Sequence, residues 1–255
     1  MNLKNKTSFL DKIKLLKLSE VEDMKPVSKH AAPVSHLSFD ALAHKEFVYI
    51  FEIKLSSPSE GQIIKKEQIQ KLISIYENNG ADIISFVGDK HYFSGSFDLL
   101  SEIREHTQLP ILYKDFIIDK IQIEHAVANG ADLVLLISEL LTKEQLHNLA
   151  KHIISLGRIP LIELHSKKEI PKLPLLDGAL FGVNCRDLST LKVDADTHLE
   201  LISSFSKNFV IAESGIQSAD RINELKEAGY KGVLIGTSIL KSDDVQNKVS
   251  ELRYG

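Results

Sequence analysis

YENNGADIISFV, residues 76–87, and AVANGADLVLLI, residues 126–137, decide the fold. In each, an amphipathic segment ends at a glycine, takes a short polar step and enters a continuous apolar run. Glycine reaches the left-handed conformation that closes a helix. A run that is apolar at every position suits a parallel strand covered on both faces. Gly80 and Gly130 lie 50 residues apart, and LKEAGYKGVLIG at 225–236 carries a related pattern.

Following this helix–glycine–strand unit along the chain gives eight apolar runs. They lie near 48–54, 82–87, 110–114, 132–137, 160–164, 179–184, 209–213 and 232–236. Their mean spacing is about 25 residues and the connectors read as helices. Eight strand–helix units are what a (β/α)8 TIM barrel requires. A doubly wound open sheet is the rival, but it shows fewer strands and a glycine-rich turn after the first one, and GxGxxG is absent here. At 255 residues the chain has the length of one such barrel. The expectation is an α/β chain forming a single barrel domain over 1–255, with 1–45 as an N-terminal helical extension. There, Ser8 to Asp11 has the form of a capping box. Phe9, Leu10, Ile13 and Leu16 then fall on one side of a helix. That helix is expected to close one end of the barrel rather than face substrate.

Composition excludes several classes. Net charge is −4 and no Lys/Arg block stands out, so neither nucleic acid nor an anionic membrane is the expected partner. Charges run through the first residues, and no apolar run approaches the roughly 20 residues that span a bilayer. A cytoplasmic monomer is expected. The one cysteine, Cys185, allows no intrachain disulfide and no CxxC metal site. As a nucleophile it would need a base beside it, and the sequence suggests none. His91, His125, His147, His152, His165 and His198 form neither HxH nor HExxH, so they read as surface or loop residues and no metal is expected. His165 alone lies just past a strand-end acid.

The ends of the apolar runs carry the chemistry. The first ends in Glu52 and Lys54, the third in Lys114, the fifth in Glu163. The sixth ends in Asn184 and Arg186, the seventh in Glu213 and Ser214, the eighth in Gly236 and Thr237. Residues two apart on a strand share a face. Ile50 therefore shares one with Glu52 and Lys54, Leu112 with Lys114, Leu161 with Glu163 and Ile211 with Glu213. In a barrel these are inward faces, apolar below and ionisable at the mouth, where barrel enzymes keep their chemistry. One such residue alone is better explained as a strand-end ion pair. Five ends converging on one mouth need a reason, because buried charge is costly unless paired. AESGI (212–216) and LIGTSIL (234–240) together suggest a phosphate site after the seventh and eighth strands, with Gly236 and Thr237 at the start of the last helix.

At this point the chain resembles the indole-3-glycerol phosphate synthase family. The motifs run in order: EIKLSSPSEG, GDKHYFSGS, KDFIIDKIQIEHA, GADLVLLI, LIELH, GVNCRDL and ESGI, with FLDKIKLLKLSEVEDMK resembling the family's N-terminal helix. The resemblance covers roughly residues 8–240. It implies conversion of 1-(2-carboxyphenylamino)-1-deoxyribulose 5-phosphate to indole-3-glycerol phosphate in tryptophan biosynthesis. Such a carboxy-lyase releases CO2 and water and uses no metal or organic cofactor. Lys114 matches the family's general acid and Glu163 its base. Glu52 and Lys54 match residues that assist proton transfer and hold the substrate carboxylate. Asn184 and Ser214 match polar positioning residues; Arg186 and Glu213 match binding or supporting ones. Phe93, Phe116, Leu135 and Leu188 are implied to wall the anthranilate ring. Ser57, Gly215, Gly236 and Thr237 are implied to take the phosphate.

Three positions depart from the family's pattern. Leu55 stands where Arg or Lys is common after EIK, and alternation points it away from Glu52 and Lys54, so a packing change is expected. Gly88 replaces a threonine and is expected to loosen its loop. Cys185 stands between Asn184 and Arg186 and points away from both. Two other functions compete with this one. A phosphoribosylanthranilate isomerase would want a Cys or Asp base on the first strand, where Glu52 and Lys54 stand. A non-catalytic binder of anionic metabolites has only Leu55 and Gly88 in its favour.

Overall fold

The computed structural model describes residues 9–27, 38–174, 176–205 and 208–255. Eight parallel strands close into a barrel. They are β1 (Val48–Ile53), β2 (Ile83–Val87), β3 (Ile111–Lys114), β4 (Leu133–Ile137), β5 (Ile159–Leu164), β6 (Leu180–Asn184), β7 (Val210–Glu213) and β8 (Gly232–Ile235). Each pairs with its neighbour in sequence, and closure comes from β1 against β8, with Val48 opposite Gly232 and Ile50 opposite Leu234. Every strand is buried over nearly its whole length, as helix-covered parallel strands must be.

The helices start where the sequence places side-chain caps. Ser96, Asp119, Thr142 and Ser218 each accept a hydrogen bond from a backbone N–H in the first turn of the helix that follows. These caps satisfy donors a helix leaves free at its start, and they fix the loops at the barrel's mouth. Gly80 and Gly130 both take positive φ, 72° and 103°, at the closed end.

Two expectations need correction. Gly236 and Thr237 do not open the last helix: Thr237–Leu240 is a separate short helix and the last one is Val245–Tyr254. The stretch after β1 folds back on itself: Ser56–Ser57 pairs antiparallel with Gly61–Gln62. The N-terminal helix, α1 (Phe9–Asp23), turns a different residue inward than its apolar stripe predicts. Ile13 and Lys17 are its buried residues, while Leu10 and Leu16 are only half-buried. Ser8, the start of the capping pattern, lies outside the described residues. The Lys17 side chain is 1% exposed, and its Nζ lies 2.8 Å from Asp89 and 2.7 Å from Asp115. Both aspartates line the cavity described next, so the end of the barrel that α1 packs against is the mouth.

Candidate active site

A cavity of about 620 Å³ opens at the C-terminal ends of the strands. At its floor are two lysines and three carboxylates from four strands. Lys54 Nζ lies 2.6 Å from Glu52 and donates to Thr237 Oγ1 at 3.3 Å. Lys114 Nζ lies 2.6 Å from Glu213, 3.6 Å from Glu163 and 3.9 Å from Glu52. Strand parity therefore does bring Glu52, Lys54, Lys114, Glu163 and Glu213 together at one mouth. No group of three His, Cys, Asp or Glu side chains among the described residues is arranged to hold a metal ion.

The environment sorts these groups. Burial opposes ionisation of Glu52, but Lys54 and then Lys114 outweigh it and hold the carboxyl below its ordinary range. Burial works against Glu163 too, yet Lys114 and His165 keep it well below that range. Glu213 goes the other way, up to about 8. It is the carboxyl closest to Lys114, but burial and the charge on Glu163 prevail. Glu163 Oε2 and Glu213 Oε1 are buried and have no hydrogen-bond partner while both groups are ionised. A proton held on Glu213 and donated to Glu163 supplies one, which is why the two pKa values separate. Lys114 is held charged: burial lowers its pKa, and the three carboxylates more than reverse this.

The other expected residues frame this cluster. Phe93, Phe116, Leu135 and Leu188 line the cavity, with the Phe93 and Phe116 rings 6.4 Å apart. Asn184 Oδ1 accepts from the Arg186 N–H at 3.0 Å, and Arg186 Nη1 donates to the Leu191 carbonyl at 2.9 Å. Ser214, Gly215, Gly236 and Thr237 form the rim after β7 and β8. Ser214 and Gly215 are consecutive positive-φ residues, at 66° and 68°. That conformation is unusual for serine and tends to be kept at functional sites. Ser57 is the exception: it sits in the short hairpin, accepts from the Glu60 N–H at 3.2 Å and does not line the cavity.

The departures resolve physically. A Cβ at Gly88 would lie 2.1 Å from the Tyr113 ring, so glycine makes room for a buried tyrosine. The loop is not loosened, since Asp89 accepts from the Tyr92 N–H at 2.7 Å and Lys17 holds Asp89 from the other side. Leu55 packs against the core edge. Cys185 is buried, and burial pushes its thiol up to about 11, which leaves no thiolate to attack. His198 is not a surface residue: it is fully buried, its Nε2 donates to the Glu213 carbonyl at 3.0 Å, and burial pushes its pKa down to about 4.

Sequence reasoning missed Gly182, Lys17, Asp89 and Asp115. A Cβ at Gly182 would lie 2.1 Å from Glu213 Oε1, so this strand glycine is the space the carboxyl occupies. Its signal was glycine inside an apolar strand, a mark of close approach. The signal for Lys17 was a lysine four residues after Ile13 on the apolar side.

A closed (β/α)8 barrel with acid–base groups at its C-terminal mouth and a glycine-lined rim after its last two strands defines a TIM-barrel enzyme of a small phosphorylated substrate. Solved structures agree on the fold: a 3-hexulose-6-phosphate synthase superimposes with a TM-score of 0.64 at 16% identity, covering 81% of this chain and 98% of its own. A thiamine phosphate pyrophosphorylase from Pyrococcus furiosus does so at 0.58 and 18%, covering 82% and 94%. Within that class, the chain belongs to the indole-3-glycerol phosphate synthase family, whose sequence model matches residues 6–252. Relatives of that name include one from an Exiguobacterium species, 35% identical over 96% of each chain. Another, from Prochlorococcus marinus, is 36% identical over 92% of this chain and 83% of its own.

Proposed function

We propose that the protein is a carboxy-lyase that closes the indole ring of 1-(2-carboxyphenylamino)-1-deoxyribulose 5-phosphate, forming indole-3-glycerol phosphate, CO2 and water. The observation that carries this reading is Lys114. One charged lysine stands among three buried carboxylates, beside an aromatic wall and opposite a glycine rim. Ring closure needs a proton on the carbonyl oxygen as the new carbon–carbon bond forms. Lys114 is assigned as that acid and Glu163 as the base that recovers a proton during dehydration. Lys54, held by Glu52, takes the substrate carboxylate, and Asn184 and Ser214 orient the reacting groups. Glu213 accepts from Lys114 and shares its proton with Glu163, and Arg186 supports the Asn184 loop. Phe93, Phe116, Leu135 and Leu188 hold the anthranilate ring. The backbone at Gly215, Gly236 and Thr237 takes the phosphate, with Ser57 outside this set.

The same reading takes 1–255 as one domain with 1–45 as its extension, acting as a cytoplasmic monomer on a small molecule and on no nucleic acid. Among the described residues, no helix is long and apolar enough to cross a membrane. The test is to incubate the purified protein with the carboxyphenylamino-deoxyribulose phosphate and follow indole fluorescence. Turnover that inorganic phosphate inhibits competitively supports both the reaction and the rim assignment. No turnover overturns the function, and turnover indifferent to phosphate relocates the phosphate site.

A further inference from the structure

We propose that His165 is a proton relay behind the active site, carrying protons from the exposed carboxylate of Glu139 to Glu163. The inference rests on the reaction proposed above. That reaction has a proton deficit. The carbonyl oxygen of the substrate leaves as water and takes two protons. The methylene carbon beside the nitrogen returns one as the ring becomes aromatic. The carboxylate leaves as CO2, its bonding electrons filling the ring. One proton per turnover must therefore enter from solvent. The groups that need it, Lys114 and Glu163, lie at the cavity floor and are 12% and 2% exposed. Bound substrate fills the mouth above them.

His165 supplies the other way in. It does not line the cavity and its side chain is 8% exposed. Nε2 lies 3.2 Å from Glu163 Oε1, while Nδ1, on the opposite edge of the ring, lies 4.0 Å from Glu139 Oε2 and 3.9 Å from Glu169 Oε2. Nε2 faces Glu163 and Nδ1 stands between Glu139 and Glu169, so a small swing of the ring serves either side. Glu169 is not the outlet. Its Oε1 accepts from the His165 and Ser166 N–H groups and from Ser166 Oγ, at 3.0, 2.8 and 3.0 Å, and its Oε2 accepts from Ser138 Oγ. Glu139, with its side chain 45% exposed, reaches solvent.

The charges around the ring keep it loaded with a proton. Burial disfavours imidazolium, but Glu163 and Glu169 reverse this and push His165 up to about 10, so the ring is loaded with a proton at neutral pH. Partial burial raises Glu139 above its ordinary range; His165 and Lys172 oppose this, and Glu169 and Asp187 reinforce it. In the cycle, Lys114 gives its proton to the carbonyl oxygen and Glu163 takes the methylene proton and passes it on. His165 then passes one proton through Glu163 to the neutral amine of Lys114, 3.6 Å from Glu163, and Glu139 reloads His165 from solvent.

The experiment measures kcat and KM for wild type, His165→Gln, Glu139→Gln and the double variant, with and without added imidazole at constant ionic strength. For His165→Gln, kcat is expected to fall by about 10²-fold, the lower end of what a positioned proton donor contributes. KM should hold, and kcat should rise with imidazole concentration. Glu139→Gln should lower kcat in the same sense, and the double variant should add little to His165→Gln, as expected for two groups on one path. Wild-type kcat in Glu139→Gln, whose exposed side chain does not threaten folding, overturns the relay by itself. So does a loss in His165→Gln that imidazole leaves untouched, since a purely positioning role for Glu163 would behave that way. A wild-type protein that does not turn over the substrate overturns the reaction as well as the relay.

Discussion

The two ends of the barrel treat polar groups differently. At the closed end the NGAD motif acts twice in the same way. Asn79 and Asn129 each donate through Nδ2 to a carbonyl of the preceding helix, both at 2.8 Å. Asp82 accepts from the Tyr49 N–H at 2.8 Å, and Asp132 from the Ile111 N–H at 2.9 Å. Asp132 also receives Arg104 Nη1 at 3.0 Å, and Arg104 Nη2 donates to the carbonyls of Thr107 and Leu109. At the mouth the ionisable strand ends follow no common motif. Lysines, carboxyls and amides crowd together, and Glu163 and Glu213 find partners for their facing oxygens only by sharing a proton. Repetition with fixed donors marks scaffold; non-repeating groups joined by a movable proton mark chemistry. The physical reason is that a backbone N–H cannot titrate, whereas a shared proton can leave.

The sharpest break of this contrast is Lys114→Met. The variant keeps the apolar stem, so circular dichroism should show a folded protein. The kcat should fall by about 10²–10⁴-fold, the usual contribution of a general acid. Lys114→Arg should not restore it, because guanidinium does not release a proton near neutral pH. Turnover within a fewfold of wild type in folded Lys114→Met would pass the acid's role to Lys54.

At the other end, Asp132→Ala should act on stability alone. It leaves the buried Arg104 charge without its carboxylate, a loss of about 3–5 kcal/mol for a broken buried pair. Urea titration should show that loss, while kcat per folded molecule stays at the wild-type value. A drop in kcat larger than the drop in stability would erase the distinction between the ends.

The pH dependence of stability should come from the mouth. Glu213 is raised from 4.5 to about 8, so the stability it contributes is full below 4.5 and lost as pH rises through about 8. Tm of the wild type should fall across that window, and Glu213→Gln should flatten the fall. An unchanged slope would mean that Glu213 does not hold the shared proton. The smallest effect belongs to Asp82→Ala. It removes one carboxylate acceptor from a strand N–H and a pair with the half-exposed Lys45. About 1 kcal/mol is expected from urea titration, with no change in kcat.

Local pattern alone determined the barrel, because each strand–helix unit carries its own period and its own glycine stop, as 76–87 and 126–137 show. Parity along single strands was enough to put Glu52, Lys54, Lys114, Glu163 and Glu213 on one mouth, since alternation is a property of the strand itself. Which partner each charge meets was decided only by closure of the barrel. Lys114 meets Glu213 across 99 residues of chain, Gly182 on one strand yields its Cβ space to a carboxyl on the next, and Lys17 crosses from α1 to Asp89 and Asp115. The same holds for His165 and His198, whose surroundings are built from other strands and loops, and for Ser57, which a two-residue hairpin carries away from the rim. A sequence records what a side chain can do; burial, neighbouring charge and the room left by another strand's glycine set what it does, and these arise only when distant segments pack.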